Sequence, residues 1–217
     1  KALKKSPIIR FISFKTIAII CFSFLSFNLI AQINWTNDGN SYYRLEKNQL
    51  STYTLPDRER EVVISKEQLT PEGASEPLKI AHFSFSQDQQ KVLLFTNTKK
   101  VWRLNTKGDY WVFDLETDEL RQLGKTLPES SLMFAKFSPD GKKVAYVSEN
   151  NLYSETIATG AIKPLTTNGT ESLINGTFDW AYEEEFACRD GFRWSPDSKS
   201  IAYSQIDARD SRNFYMI

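Results

Sequence analysis

One short pattern occurs three times and restricts what the chain can fold into. Phe85-Ser86-Gln87-Asp88, Phe137-Ser138-Pro139-Asp140-Gly141 and Trp194-Ser195-Pro196-Asp197 each lead into an apolar run that opens at Val92, Val144 and Ile201. In every copy the serine stands six residues before that aliphatic residue, and the serines are 52 and then 57 residues apart. Pro fixes φ at the second turn position, and Gly or an Asn-like residue accepts positive φ later in the turn. Apolar or alternating flanks of four to six residues make each copy a strand, a tight turn and a second strand.

The second half of the unit repeats as well. Residues 111–123 (WVFDLETDELRQL) align without a gap to residues 153–165 (YSETIATGAIKPL). Each reads as an outer strand, a polar turn and a last strand ending in Leu. Four strands repeating every fifty-odd residues is the pattern of β-propeller blades. Helical periodicity is nearly absent, so the expected class is all-β: a partial propeller of about three to four four-stranded blades from a larger ring. A less regular earlier blade is expected over residues 41–64. An open ring leaves unpaired strand edges, so residues 32–217 are expected to be the amino-terminal portion of a longer protein.

Residues 1–31 read as a targeting segment, either a signal peptide or a signal anchor, expected to be helical. Lys1, Lys4, Lys5 and Arg10 precede an apolar stretch of about fifteen residues, shorter than the roughly 20 needed to span a bilayer. Ala31-Gln32 offers a cleavage point. Export to a periplasmic or extracellular location is the expectation.

Charge is balanced, with 27 basic and 27 acidic residues, and no basic stripe marks a nucleic-acid partner. Cys21 and Cys188 are too few for a disulfide scaffold. No Gly-x-Ser-x-Gly elbow occurs, and the single histidine, His82, adjoins the strand around Phe83 and reads as structural. No cluster has metal-ligand spacing, and no cofactor is expected. The residues of this chain are therefore expected to bind rather than to catalyse.

The stretch that points to a ligand is Asp179-Trp180-Ala181-Tyr182-Glu183-Glu184-Glu185-Phe186. Three successive carboxylates repel one another unless water or a cation compensates them. The aromatic flanks suggest partial exclusion of water, which makes a primary ammonium with its three donors a fitting partner. Asp179 is placed to cap a short helical turn, on which neighbouring side chains diverge by about 100°. Glu183 would then point away, toward Arg189 or Arg193. A second candidate is Arg103, beside Trp102 in a hairpin connection nine residues longer than its counterpart.

The octet resembles the double-glutamate motif of the dipeptidyl peptidase IV family, Asp-Trp-aliphatic-Tyr-Glu-Glu-Glu, with Ala181 in place of a larger aliphatic residue. The stretch from Trp102-Arg103 through Tyr110 to Phe113-Asp114-Leu115 resembles the family's arginine segment. The resemblance implies that Glu184 and Glu185 hold the free N-terminus of a peptide substrate and that Arg103 binds a peptide carbonyl. Asp179, Trp180, Tyr182, Glu183 and Trp102 would support them. It further implies a serine exopeptidase releasing Xaa-Pro or Xaa-Ala dipeptides, with its nucleophile in an α/β-hydrolase module absent from this chain; dimers are typical of such enzymes. Two alternatives remain open: a non-catalytic propeller that binds peptides or glycans, and a related propeller peptidase of different cleavage specificity.

Overall fold

The computed structural model describes residues 33–212. Residues 1–32, which include Cys21 and the stretch expected to be a helical targeting segment, and the run 213–217 lie outside the described residues. The chain divides into two compact units. The smaller comprises the described residues up to Arg44 with Thr52–Glu61, and the larger comprises Leu45–Ser51 and the chain from Val62 onward.

Strands β1 (Asn34–Trp35), β2 (Ser41–Glu46), β3 (Gln49–Thr54) and β4 (Glu59–Ile64) form a four-stranded sheet in sequence order. Lys47 and Asn48, which join β2 to β3, have φ of 50° and 58°, the mirror-image turn that matches strand twist. Three strands of this sheet fall within residues 41–64, where a less regular repeat is expected, and β1 precedes them.

Within the larger unit, β5 (Ile80–Phe85), β6 (Lys91–Val101), β7 (Leu104–Asp114) and β8 (Leu120–Gln122) make one four-stranded group. A second comprises β9 (Leu132–Phe137), β10 (Lys143–Ser148), β11 (Asn151–Thr156) and β12 (Ala161–Pro164). The two groups fuse into a single antiparallel sheet. β8 pairs with Trp111, Val112 and Phe113 of β7, and β9 takes the same edge farther back, at Lys107 and Gly108. A further hairpin, β14 (Phe192–Trp194) with β15 (Ile201–Tyr203), begins the third copy of the repeat. A short pair, β13 (Leu173–Asn175) with β16 (Gln205–Asp207), stands beside it. The described residues therefore contain three four-stranded groups, one two-stranded hairpin and the separate β13–β16 pair.

The repeated turn has one construction. Ser86, Ser138 and Ser195 donate their hydroxyls to Asp88, Asp140 and Asp197, each at 2.6 Å. Each serine Oγ in turn accepts the backbone N–H five residues on, from Lys91, Lys143 and Ser200, at 2.9–3.0 Å. Each Asp accepts the N–H two residues on, at 3.1 Å. The left-handed position is held by Gln89, Gly141 and Ser198, with φ of 57°, 67° and 60°; only the glycine copy is free of the Cβ penalty.

The serine hydroxyl is the first cause holding Asp88, Asp140 and Asp197 below the ordinary carboxylate pKa. A depressed folded-state pKa stabilises above the unfolded value, and that stability disappears as pH falls through the folded value. Asp140→Asn should consequently lower the melting temperature at pH 7 and have a shrinking effect below about pH 3.8, the ordinary carboxylate value. Exposure of the turn keeps the difference under about 1 kcal/mol. Thermal melts of both proteins between pH 7 and pH 2.5 check this; a gap that widens on acidification contradicts it.

β10 explains why the second copy reads as a continuous apolar run. Val144 and Tyr146 enter one core with Leu93, Phe95, Val112 and Leu132, whereas Ala145 and Val147 enter another with Leu152 and Phe192. Period-two alternation places these pairs on opposite faces, and both faces are covered.

Candidate functional site

Two elements of the larger unit meet at the site. The first is the outer end of the β6–β7 hairpin. The nine additional residues expected as a loop are instead strand: β6 and β7 extend together until Val101 faces Leu104, and Trp102 and Arg103 form the two-residue turn. Trp102 takes the left-handed conformation, with φ of 51°. Thr96, Thr98, Val101 and Thr106 favour strand, and no Pro interrupts residues 95–111; that is the signal that reveals the extension.

A bulge and a polar hub aim this arm. Register shifts between Thr96 and Lys99, and Asn97 adopts φ of 45°. Asn97 Nδ2 donates to Asp109 Oδ2 and to Glu129 Oε1, both at 2.8 Å. Ser130 N donates to Asp109 Oδ1 at 2.7 Å, and Ser130 Oγ donates to Asn97 O at 2.8 Å. Gly108 closes the base, since a Cβ there would lie 2.5 Å from the Phe95 ring and from Thr96 O.

The second element is α1 (Trp180–Phe186), in the long connection between β12 and β14. Asp179 stands at its N-cap in extended conformation and accepts Tyr182 N at 3.0 Å, as its position in the octet suggests. Ala187, in the left-handed region at φ 53°, ends the helix, and the N–H groups of Ala187 and Cys188 both donate to Tyr182 O. Phe178, Tyr182 and Phe186 form a row at four-residue spacing, with ring centroids 5.5 and 5.8 Å apart.

The three glutamates occupy three environments, as successive positions on a helix require. Glu183 is buried and accepts Arg189 Nε at 3.1 Å. Of the two basic neighbours considered, the partner is Arg189; Arg193 binds Asp190 at 2.9 Å. Glu184 accepts Arg103 Nε at 2.7 Å, its side chain 14% exposed against 77% for the arginine. Glu185 is exposed, and among the described residues its carboxylate has no hydrogen bond or ion pair. Two guanidinium groups thus offset two of the three charges, leaving one carboxylate and the terminal nitrogens of Arg103 uncommitted.

The structure corrects the expectation that the aromatic flanks exclude water. Trp180 and Tyr182 are exposed, Phe186 is 69% exposed, and Trp102 and Leu104 on the arm are exposed too. Tyr182 and Phe186 contact each other along the helix, their planes tilted by 44°, instead of covering the carboxylates. Dielectric screening at the site is accordingly that of a surface, apart from the half-buried Glu184.

Elsewhere, His82 lies exposed on β5, and Cys188 is a half-buried free thiol. Among the described residues no group of three His, Cys, Asp or Glu is placed to hold a metal ion. A cavity of about 600 Å³, bordered by Asp88, Asp114, Arg121 and Asp140, includes no residue of the arm tip or of α1.

Comparison with known proteins gives a family. Residues 86–217 match the model of the dipeptidyl peptidase IV (DPP IV) N-terminal region. The protein named "Probable dipeptidyl-aminopeptidase B" of Arthroderma otae is 38% identical over 119 residues, 54% of this chain and 13% of that protein. "Prolyl endopeptidase FAP" of Mus musculus is 30% identical over 179 residues, 82% of this chain and 22% of its own length. The crystal structure of Porphyromonas gingivalis dipeptidyl peptidase 4 superposes with a TM-score of 0.67 at 26% identity, covering 76% of this chain and 24% of that one. The chain thus spans between about an eighth and a quarter of these relatives. Fold, repeat and family model agree: the chain belongs to the DPP IV N-terminal-region family, the β-propeller portion of that group.

Proposed function

We propose that this region serves a longer serine exopeptidase by anchoring the free N-terminus of a peptide, so that an N-terminal dipeptide is released. The observation that carries the reading is the meeting of Arg103 and Glu184, 81 residues apart in sequence and 2.7 Å apart in space, next to the uncommitted Glu185. A peptide's first residue presents an ammonium and, one bond beyond its Cα, a carbonyl. Two neighbouring carboxylates match the ammonium; the free nitrogens of a guanidinium match a carbonyl oxygen.

The anchor acts as a ruler. With the amine fixed, the backbone reaches a constant distance, and cleavage after the second residue follows from where the nucleophile stands. Acyl transfer itself would be performed by a hydrolase module elsewhere in the longer protein, with Xaa-Pro or Xaa-Ala peptides as the substrate class. Positioning of this kind lowers a barrier by restricting motion before the reaction. The α-amino group has an ordinary pKa of roughly 7.7–8.0, and adjacent carboxylates favour its charged form.

Product analysis of the complete enzyme tests the proposal. Peptides with a free amine should yield dipeptides, and the same peptides N-acetylated should be cleaved at least about 100-fold more slowly, the cost of losing a charge-assisted anchor. Internal cleavage of acetylated peptides at an undiminished rate would contradict it. Arg103→Ala should weaken cleavage by about 10-fold or more through the lost carbonyl contact, which steady-state kinetics on the same substrates reads.

A further inference from the structure

We propose that Lys136 is a positioning residue for the amine anchor: it pins Asp190 at the base of the loop that carries α1 and so fixes where Glu184 and Glu185 stand. The inference rests on reading those glutamates as the anchor. Its physical basis begins with a bulge in β9. Ala145 of β10 faces Lys136, whereas Val147 faces Met133, so Phe134 and Ala135 together oppose Tyr146. Phe134 takes φ of 54°, costly for an aromatic residue. A bulge re-aims the side chains that follow it.

Here the side chain that follows is Lys136, and its ammonium has three partners. It donates to Asp190 Oδ1 and, at 3.1 Å, to Phe192 O, and it lies 3.9 Å from the centre of the Phe192 ring. Burial pulls the Lys136 pKa below the ordinary lysine value, with Asp190 opposing. The ammonium is thus drawn out of water to serve one carboxylate and one carbonyl.

Those two acceptors are where the loop closes. Thr177 pairs with Asp190 across its neck, and Gly191 N donates to Gly176 O at 3.0 Å. The neck is a contact between glycines, since a Cβ on Gly191 would meet Gly176 C at 2.9 Å. Glycine backbones bring no side chain to lock the neck; the Asp190 carboxylate does so. Its Oδ2 is held by the mostly exposed Arg193 close by in sequence and its Oδ1 by Lys136, which alone among the described residues ties it to the blade β9–β12. The next residue inward, Arg189, holds Glu183 of α1. An ordered series, Lys136 to Asp190 to Arg189 to Glu183, therefore links the blade β9–β12 to the helix.

The test uses Lys136→Met and Lys136→Arg in the complete enzyme, with Glu184→Gln alongside. Lys136→Met retains the apolar stem over Phe192 and removes the charge. Its KM for free-amine peptides should rise about 10-fold to 100-fold with kcat changed less than about threefold, and Lys136→Arg should restore most of the loss. Hydrogen exchange should quicken about 10-fold at the Glu183 and Cys188 amides while the β10 amides remain protected. Unchanged exchange at those amides overturns the inference. So does quickened exchange with an unchanged KM while Glu184→Gln raises KM, or loss of protection in β10 as well. If Glu184→Gln leaves KM unaltered, the anchor reading itself fails, and exchange alone then decides whether Lys136 holds the helix.

Discussion

Glu184→Gln and Glu185→Gln are each expected to lower kcat/KM for free-amine peptides by about 10-fold to 150-fold, equivalent to about 1.5–3 kcal/mol for a lost hydrogen bond to a charged group. The two losses should differ in character. Glu184 already accepts Arg103 Nε, so its replacement removes one carboxylate from the amine and also releases the arginine. Arg103 is mostly exposed, and an untethered guanidinium on a long side chain regains rotamer freedom that binding must then remove. Glu185→Gln leaves that pair intact and takes away the carboxylate without a partner among the described residues. KM should therefore carry most of the Glu185→Gln effect, whereas Glu184→Gln should lower kcat as well, because the carbonyl contact is lost with the amine contact. Steady-state kinetics on one Xaa-Pro peptide suffices. Both variants within a few-fold of wild type would reject the role of the pair.

Glu155→Ala is expected to destabilise the folded region by about 3–5 kcal/mol, the cost of stranding buried hydrogen-bonding groups. Glu155 is 3% exposed. Its Oε2 accepts the Tyr146 hydroxyl at 2.8 Å and Gly124 N at 2.9 Å. Burial, and then the Glu155 charge, push the Tyr146 pKa far up, so the tyrosine remains a donor at every ordinary pH. Gly124 opens the connection from β8 to β9, which lets one carboxylate hold that connection to the blade β9–β12. Its left-handed φ of 64°, with Leu132 Cδ1 only 2.9 Å from any added Cβ, strains any other residue there. Tyr146→Phe should cost less, about 1.5–3 kcal/mol, because the carboxylate keeps its backbone donor. Denaturant unfolding of the three proteins gives the comparison; a loss below about 1 kcal/mol for Glu155→Ala would show that water replaces the missing acceptor.

The repeated turn was legible because each residue in it has a separate physical task. Ser supplies the hydroxyl, Asp the carboxylate, and the residue after Asp the left-handed step; three copies with one spacing leave little freedom. The N-cap at Asp179 was legible for the same reason. The arm was only faintly legible: Thr96, Thr98, Val101 and Thr106 favour strand, but Thr98-Lys99-Lys100 and Asn105-Thr106-Lys107 have the polar composition of a loop, and pairing across the hairpin decides between the two. β13 was missed because three residues show no periodicity. The aromatic flanks misled, since four-residue spacing lets Phe178, Tyr182 and Phe186 satisfy one another along the helix and leaves the carboxylates uncovered. Lys136 and Asp190 are common surface residues 54 positions apart, and a bulge that no turn residue announces brings them together. Arg103 and Glu184 were each nominated on their own, but their contact depends on the length of the arm and the order of the blades, which sequence spacing does not contain.

The most direct test combines one chemical change in the substrate with one in the protein. Acetylating the peptide amine removes the charge that Glu184 and Glu185 are proposed to hold, and Glu184→Gln removes part of the holder. If they are partners, acetylation should slow wild-type cleavage at least about 100-fold yet slow the Glu184→Gln enzyme only a few-fold, a coupling well above the roughly 0.5 kcal/mol expected of independent sites. Equal penalties in the two enzymes would mean that the amine is recognised elsewhere.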